Sequence, residues 1–314
     1  MKLKLVYEKE MAVEDELKRI NENKFWNDNS EVGGDKLKSH KTPEQLSRRE
    51  FLIVCSFVAT SAFIYQASPA LAEAISAGPV DPKLIEDLVA ANHILANEGV
   101  VDGYGHVSVR HPDNPERFLI SRSVAPELVK PEDIMELDLD GNAVDLRGRK
   151  LYLERYIHGE IYRVRPDVKS IVHHHSAAVI PFAITKVPLQ PVYHMAAFIG
   201  KGVPVFEIRE TGGITDMLIS SPKLGQALAA TLADKPAALM RGHGAVVVGS
   251  SISEAVARSV YLQMNARLQA QAMALSPDVT YLSAGEVEKL GAPSWYDRAW
   301  ELWKRKVSGK QLDR

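Results

Sequence analysis

The stretch SIVHHHSAAVI, residues 170–180, sets three consecutive imidazoles in an apolar run. Alternation along a strand turns His173 and His175 to one face and His174 to the other. Two residues on one strand face have Cα atoms about 6–7 Å apart. Rings at that spacing can meet one divalent cation at about 2.0–2.1 Å each. A lone His-x-His also suits an exposed strand end, so a metal site needs further donors. His243 is one candidate: it stands between Gly242 and Gly244 in RGHGAVVVG. Glycines on both sides permit a tight turn that aims the ring at the same point. Glu154 is another. It opens a helix leading into the histidine strand, where a carboxylate either caps the helix or faces the metal pocket as ligand or acid–base.

These residues need elements to position them. DPKLIEDLVAANHILANEGVV carries apolar residues at helical spacing, with Asp81-Pro82 as a start and Gly99 as a stop. GHVSVRHP and RFLISR read as short strands flanking the turn PDNPE. DIMELDLDGNAV reads as a strand, and YLERYIHGEIYRVRP as a helix stopped by Pro166. PVFEIR and AALMRGHGAVVVG are expected strands, the second broken by a turn. SISEAVARSVYLQMNARLQAQAMAL is a long amphipathic helix, and SWYDRAWELWKRK a final one. Mixed strands and helices of this kind predict an α/β fold with helices on both faces of a sheet.

Composition narrows the function classes. The chain has 314 residues, 25% charged and 46% hydrophobic, with a formal net charge of −2. Without a basic excess there is no footprint for nucleic acid or an anionic membrane. One cysteine, Cys55, rules out an internal disulfide and a cysteine-built metal site, leaving ten histidines as the ligand pool. The first 46 residues are polar and charged without apolar periodicity, and read as a disordered leader. Residues 47–72 then resemble a twin-arginine signal peptide: Ser47-Arg48-Arg49-Glu50-Phe51-Leu52, a mildly apolar run, and a small-x-small box at Ala70-Leu71-Ala72. The expectation is passage through the twin-arginine export machinery to the periplasm, with residues 73–314 as the catalytic domain. The alternative is a membrane anchor formed by an uncleaved leader.

Glu154, RPDV at 165–168, VHHH at 172–175 and GHG at 242–244 together resemble the class II aldolase/adducin family, in order and spacing from about Leu84 to Gln271. The resemblance implies a three-layer α/β/α sandwich around a mixed, largely antiparallel sheet. It implies a zinc-type site, with Mn2+ or Fe2+ as alternatives, held by His173, His175 and His243, with Glu154 as the catalytic carboxylate. It also implies a homotetramer with active sites between subunits. A tyrosine that donates a proton from a neighbouring subunit in the sugar-phosphate aldolases aligns with His194, and Tyr193 sits one place earlier.

Those aldolases hold phosphate with a Gly-Asn loop, a Ser/Thr-Gly loop and a serine pair before the glutamate. Here the first reads Gly105-His106, the second SRSVAPE, and Tyr152-Leu153 replaces the serines. The amides and hydroxyls of a phosphate cradle are depleted. An unphosphorylated carboxylate is therefore the expected substrate, with His106, Ser108, Arg122, Ser123 and Arg155 as candidates for binding it. GHVSVR, LERYIHGEIY and RGHG resemble a decarboxylating branch acting in aromatic breakdown. The expected activity is a metal-dependent lyase, a decarboxylase first and an aldolase on a small hydroxy acid or sugar second. A non-enzymatic adducin-like module is the third reading, disfavoured because all three histidines are present. His158 is read as a packing histidine or a support behind a ligand, and Trp295, Trp300 and Trp303 as core or subunit-contact residues.

Overall fold

In the computed structural model the chain divides after Ser68, and every described residue, 76–291 and 296–309, lies in the second unit, Pro69–Arg314. The leader and signal-peptide expectations and Trp295 fall outside the described residues. Among the described residues, no helix is long and apolar enough to cross a membrane.

The centre is a seven-stranded sheet: β1 (His106–Arg110), β2 (Arg117–Ser121), β3 (Ile134–Asp138), β4 (Ser170–His174), β5 (Val205–Phe206), β6 (Ala237–Met240) and β7 (Gly244–Gly249), in the order β3-β2-β1-β4-β7-β6-β5. All neighbours are antiparallel except β5 and β6, which run parallel. The expected mixed, largely antiparallel sheet is what the chain forms.

Alternate residues of each strand face opposite layers, and the core divides accordingly. One face gathers Phe118, Ile120, Met135, Leu137, Ile171, Ala238 and Val246 under α2 (Arg155–Val164) and α5 (Pro222–Leu232). The other gathers Val107, Val109, Leu119 and Val172 under α1 (Pro82–Asn97), α6 (Ile252–Leu275) and α8 (Tyr296–Val307), including Trp300 and Trp303. Three layers result, as the resemblance implies. Ile157 and Ile161, one turn apart on α2, are fully buried, each worth about 1.5–3 kcal/mol of transfer free energy.

Local chemistry sets the boundaries. The Asp81 carboxylate accepts from Lys83 N–H at the start of α1, with Pro82 in the first turn. Ser251 caps α6 through Glu254 N–H. α2 ends at Val164 because the residue before Pro166 is pushed out of helical geometry. PVFEIR departs from expectation: only Val205–Phe206 pair, and Ile208–Gly212 turns into a short helix (α4) whose first amide turn is held by the Glu207 carboxylate. α5 was legible in principle, since Ser221-Pro222 precedes Leu224, Leu228 and Leu232 at helical spacing.

Candidate metal centre

Antiparallel pairing of the three central strands brings the start of β1, the end of β4 and the start of β7 together at one end of the sheet. β1 begins at His106, directly opposite His173 near the end of β4. β7 begins at Gly244, next to the turn that carries His243, and pairs Ala245 with His174. Gly244 is required here: a Cβ at that position would collide with the His174 carbonyl oxygen. Gly105, with φ +101°, enters β1 where a Cβ would lie 2.6 Å from Val101 Cγ1 and 3.0 Å from the His173 oxygen. Glu154 stands at the N-terminus of α2, packed on the same face.

His173, His175, His243 and Glu154 converge there, with one ligand atom from each within 4.8 Å of the others. His173 Nε2 lies 3.0 Å from His175 Nε2, and His243 Nε2 lies 2.9 Å from His175 Nε2. Glu154 Oε2 is 3.3 Å from His173 Nε2 and 3.6 Å from His243 Nε2. Glu154 makes no side-chain cap to its helix; its Oε1 instead accepts from Ile219 N–H at 3.0 Å. The capping alternative is thereby set aside.

Tautomers follow from the partners. His173 Nδ1 meets the Ala245 carbonyl at 3.1 Å and His243 Nδ1 meets the Met217 carbonyl at 3.0 Å. A carbonyl only accepts, so both Nδ1 atoms carry hydrogen, and the tautomer this selects turns the Nε2 lone pairs inward. Lone pairs facing each other and a carboxylate oxygen at these separations repel unless a positive charge sits among them. Tetrahedral coordination at 2.0–2.1 Å sets nitrogens about 3.3–3.4 Å apart, within a few tenths of those found. The donor set fits a divalent cation, and the two carbonyls supply the outer hydrogen bonds that hold metal-binding histidines in one orientation.

Burial opposes charge on Glu154, but positive charge placed at His173 and His243 beside it more than compensates and holds the carboxyl far below the usual range. Burial, reinforced by His173 and His243, pushes His175 down to about 4, which keeps that ring neutral and ready to ligate.

The other expected residues divide. His106 is buried with its ring centroid 5.1 Å from that of His173, beside the cluster. Arg122 pairs with Asp133 at 2.5 Å while its side chain stays 37% exposed, and Ser123 is exposed next to it. Tyr152 anchors that segment: its hydroxyl donates to Val124 O at 2.7 Å, and its ring lies 4.5 Å from His106. Ser108 does not face an opening. It is fully buried, with its hydroxyl on His158 and Tyr162, because β1 turns it under α2. Arg155 is committed to Gly141 O, Tyr152 O and Tyr156 OH. His194 is exposed at the start of a 3₁₀ turn, whereas the Tyr193 hydroxyl is buried without a partner and burial raises its pKa well above the ordinary phenol value. Both lie on a segment packed with the far-face core cluster around Val179 and Phe182.

Three contributors escaped the sequence reading. Met217 and Ile219 act through backbone atoms, which no side-chain motif announces, and Met217 adopts φ 69° to deliver its carbonyl. Tyr104, 71% exposed with its ring 6.4 Å from His175, stands at the rim. Its place directly before Gly105-His106 was the available signal.

The class II aldolase and adducin N-terminal domain profile matches residues 86–270. Decarboxylase tropJ of Talaromyces stipitatus is 35% identical over 248 residues, covering 71% of this chain and 93% of that protein. The 3,4-dihydroxyphthalate decarboxylase of Rhodococcus jostii is 28% identical, over 57% of this chain and 75% of that protein. The solved L-fuculose 1-phosphate aldolase of Glaciozyma antarctica superposes with a TM-score of 0.61 at 24% identity, over 74% of this chain and 93% of that one, a likeness of fold.

Proposed function

The chain belongs to the class II aldolase and adducin family and is a metal-dependent carbon–carbon lyase, and from that premise we propose that it decarboxylates an unphosphorylated carboxylic acid, an aromatic acid being the favoured class. The observation that carries this reading is Tyr152. It stands where the aldolases it resembles place a phosphate-binding serine, and its hydroxyl is spent on Val124 O, with Ser121 Oγ 3.2 Å away. Two relatives that carry decarboxylase names support the same direction.

Decarboxylation breaks the bond between a substrate carbon and its carboxylate. Carbon dioxide leaves, and the electron pair remains next to a carbonyl or phenol carbon until a proton arrives. A divalent cation held by His173, His175 and His243 would supply a Lewis acid for that charge; we propose zinc, with Mn2+ or Fe2+ able to use the same donors. Glu154 remains ionised, and the Ile219 amide on Oε1 turns Oε2 toward the histidines, where it moves a proton or completes the ligand set. The exposed His194 is the proposed proton donor to a neighbouring subunit of a homotetramer. Arg122, Ser123 and His106 are the proposed contacts to the substrate carboxylate.

The test is product analysis on the zinc-loaded full chain with hydroxylated aromatic acids, keto acids and unphosphorylated aldols. Carbon dioxide from an aromatic acid is expected. Aldehyde without carbon dioxide would move the chain to the aldolases, and full turnover in metal-free protein would refute the centre. We also propose export to the periplasm by the twin-arginine route, supported by Arg48-Arg49 ahead of the apolar run. Cytoplasmic retention of the Arg48→Lys/Arg49→Lys chain is expected, and unchanged distribution would sink it; an uncleaved membrane anchor is the alternative.

A further inference from the structure

Behind the metal centre runs a line of buried polar groups that metal binding does not use. His106 Nδ1 lies 2.6 Å from His158 Nε2, His158 Nδ1 lies 2.6 Å from Ser108 Oγ, and Ser108 Oγ lies 2.8 Å from Tyr162 OH. Exposures are 3% for His106, 0% for His158 and Ser108, and 1% for Tyr162. The elements make the line: His106 and Ser108 share a face of β1, and His158 and Tyr162 lie four residues apart on α2 above it.

Only two proton arrangements give every proton of such a line an acceptor, because each neutral imidazole donates through one nitrogen and accepts through the other, and a Ser108 hydroxyl accepting from both sides would leave its own hydrogen unbonded. In the first, Tyr162 donates to Ser108, Ser108 to His158 Nδ1, and His158 Nε2–H to His106 Nδ1. Every bond then runs at 2.6–2.8 Å and His106 carries its hydrogen on Nε2. In the reverse, Tyr162 must find another acceptor, and the one in reach is the Lys169 carbonyl at 3.5 Å, a weak contact. The first arrangement makes the better bonds. Among the described residues no hydrogen-bond partner meets His106 Nε2, and it is not one of the fully enclosed unpartnered atoms.

We propose that Tyr162, Ser108 and His158 form a one-way hydrogen-bond relay that fixes the Nε2–H tautomer of His106 and holds that neutral donor for the anionic group of the substrate beside the metal centre. This rests on the decarboxylase reading for its substrate, though not for its geometry. His158, Ser108 and Tyr162 are positioning residues; His106 is the group that touches substrate. The relay orients and does not supply protons, because burial raises the Tyr162 phenol well above its ordinary range and no base stands behind it in the line. Arg110, its guanidinium carbon 4.5 Å from the Tyr162 ring centroid and its donors on the Val168, Pro115, Tyr162 and Arg165 carbonyls, locks the far end in place.

Neutron diffraction on the deuterated wild-type protein is the direct test. Deuterium on Nε2 of His106 and on Nε2 of His158 is expected; deuterium on His106 Nδ1 overturns the relay. In zinc-loaded enzyme, His158→Phe should keep metal content while lowering kcat/KM about 10- to 100-fold, the loss of one hydrogen bond to a charged group. The same substitution added to His106→Ala should cost nothing more. Additive losses would reduce His158 to a packing residue and overturn the proposal. Tyr162→Phe, which keeps the ring and removes the first donor, should give a smaller loss in the same parameter; an unchanged kcat/KM counts against the relay. Deuterium on His106 Nε2 in a protein that releases no carbon dioxide from any acid would support the relay and sink the decarboxylase reading, so the two failures are distinct.

Discussion

Glu154 shows how much one side chain depends on its surroundings. A carboxylate at a helix start is ordinarily a cap. This one gives one oxygen to the Ile219 amide across 65 residues of sequence and turns the other toward three histidines. Its charge and its size therefore matter separately. Glu154→Gln keeps the shape and the Ile219 bond; we expect metal content to hold at one per chain while kcat falls about 10²–10⁴-fold. His173→Ala removes a donor that nothing nearby replaces, and metal and turnover should vanish together. Elemental analysis paired with a carbon dioxide assay separates the two patterns, and a Glu154→Gln protein with wild-type turnover would remove Glu154 from the chemistry.

At the level of elements, the centre depends on the close approach of β4 and β7. Gly244 lets the His174 carbonyl pass where any side chain would block it. Gly244→Ala should lower stability by about 1–3 kcal/mol through local overpacking and weaken zinc binding, because the His243 turn is displaced from β4. Denaturant unfolding with parallel zinc titration checks this, and unchanged values would show that the turn yields freely. Much of this level was legible beforehand. The long helices, the strand that carries His173 and His174 and ends just before His175, and the turn in RGHG follow from periodicity and turn residues that act over a few positions. Val205–Phe206 and α4 depart from the expected strand because PVFEIR has strand-like composition, while Glu207 caps the turn that ends the strand.

For the molecule as a whole, buried neutral histidines tie stability to pH. Burial holds His158 and His174 at about 3, against about 6.5 in the unfolded chain. Between those values the unfolded state binds more protons, so stability rises with pH. Their contribution is complete above about pH 6.5 and is lost as pH falls toward 3. Glu154, also depressed, acts in the same direction at lower pH. Calorimetry of the metal-free full chain should give a lower Tm at pH 5 than at pH 7.5, and zinc should raise Tm at either pH through binding to the folded state. A Tm that is flat or higher at pH 5 would mean these rings are solvated or charged in the folded protein.

The sequence alone determined the donor chemistry and the layer plan. His173, His175, His243 and Glu154 are named by residue type and local spacing, and the alternation of apolar residues in strands and helices already demands a sheet covered on both faces. Those signals are local, carried by periods of two and 3.6 residues and by glycine turns. Tertiary structure decided which oxygen of Glu154 faces the cluster, that Ser108 is buried with its hydroxyl on His158 and Tyr162, and which carbonyls orient the rings. It also brought His158 within 2.6 Å of His106 across 52 positions. The reason is physical: a hydrogen bond is set by distance and direction between atoms, and these are settled only when α2 docks on the sheet.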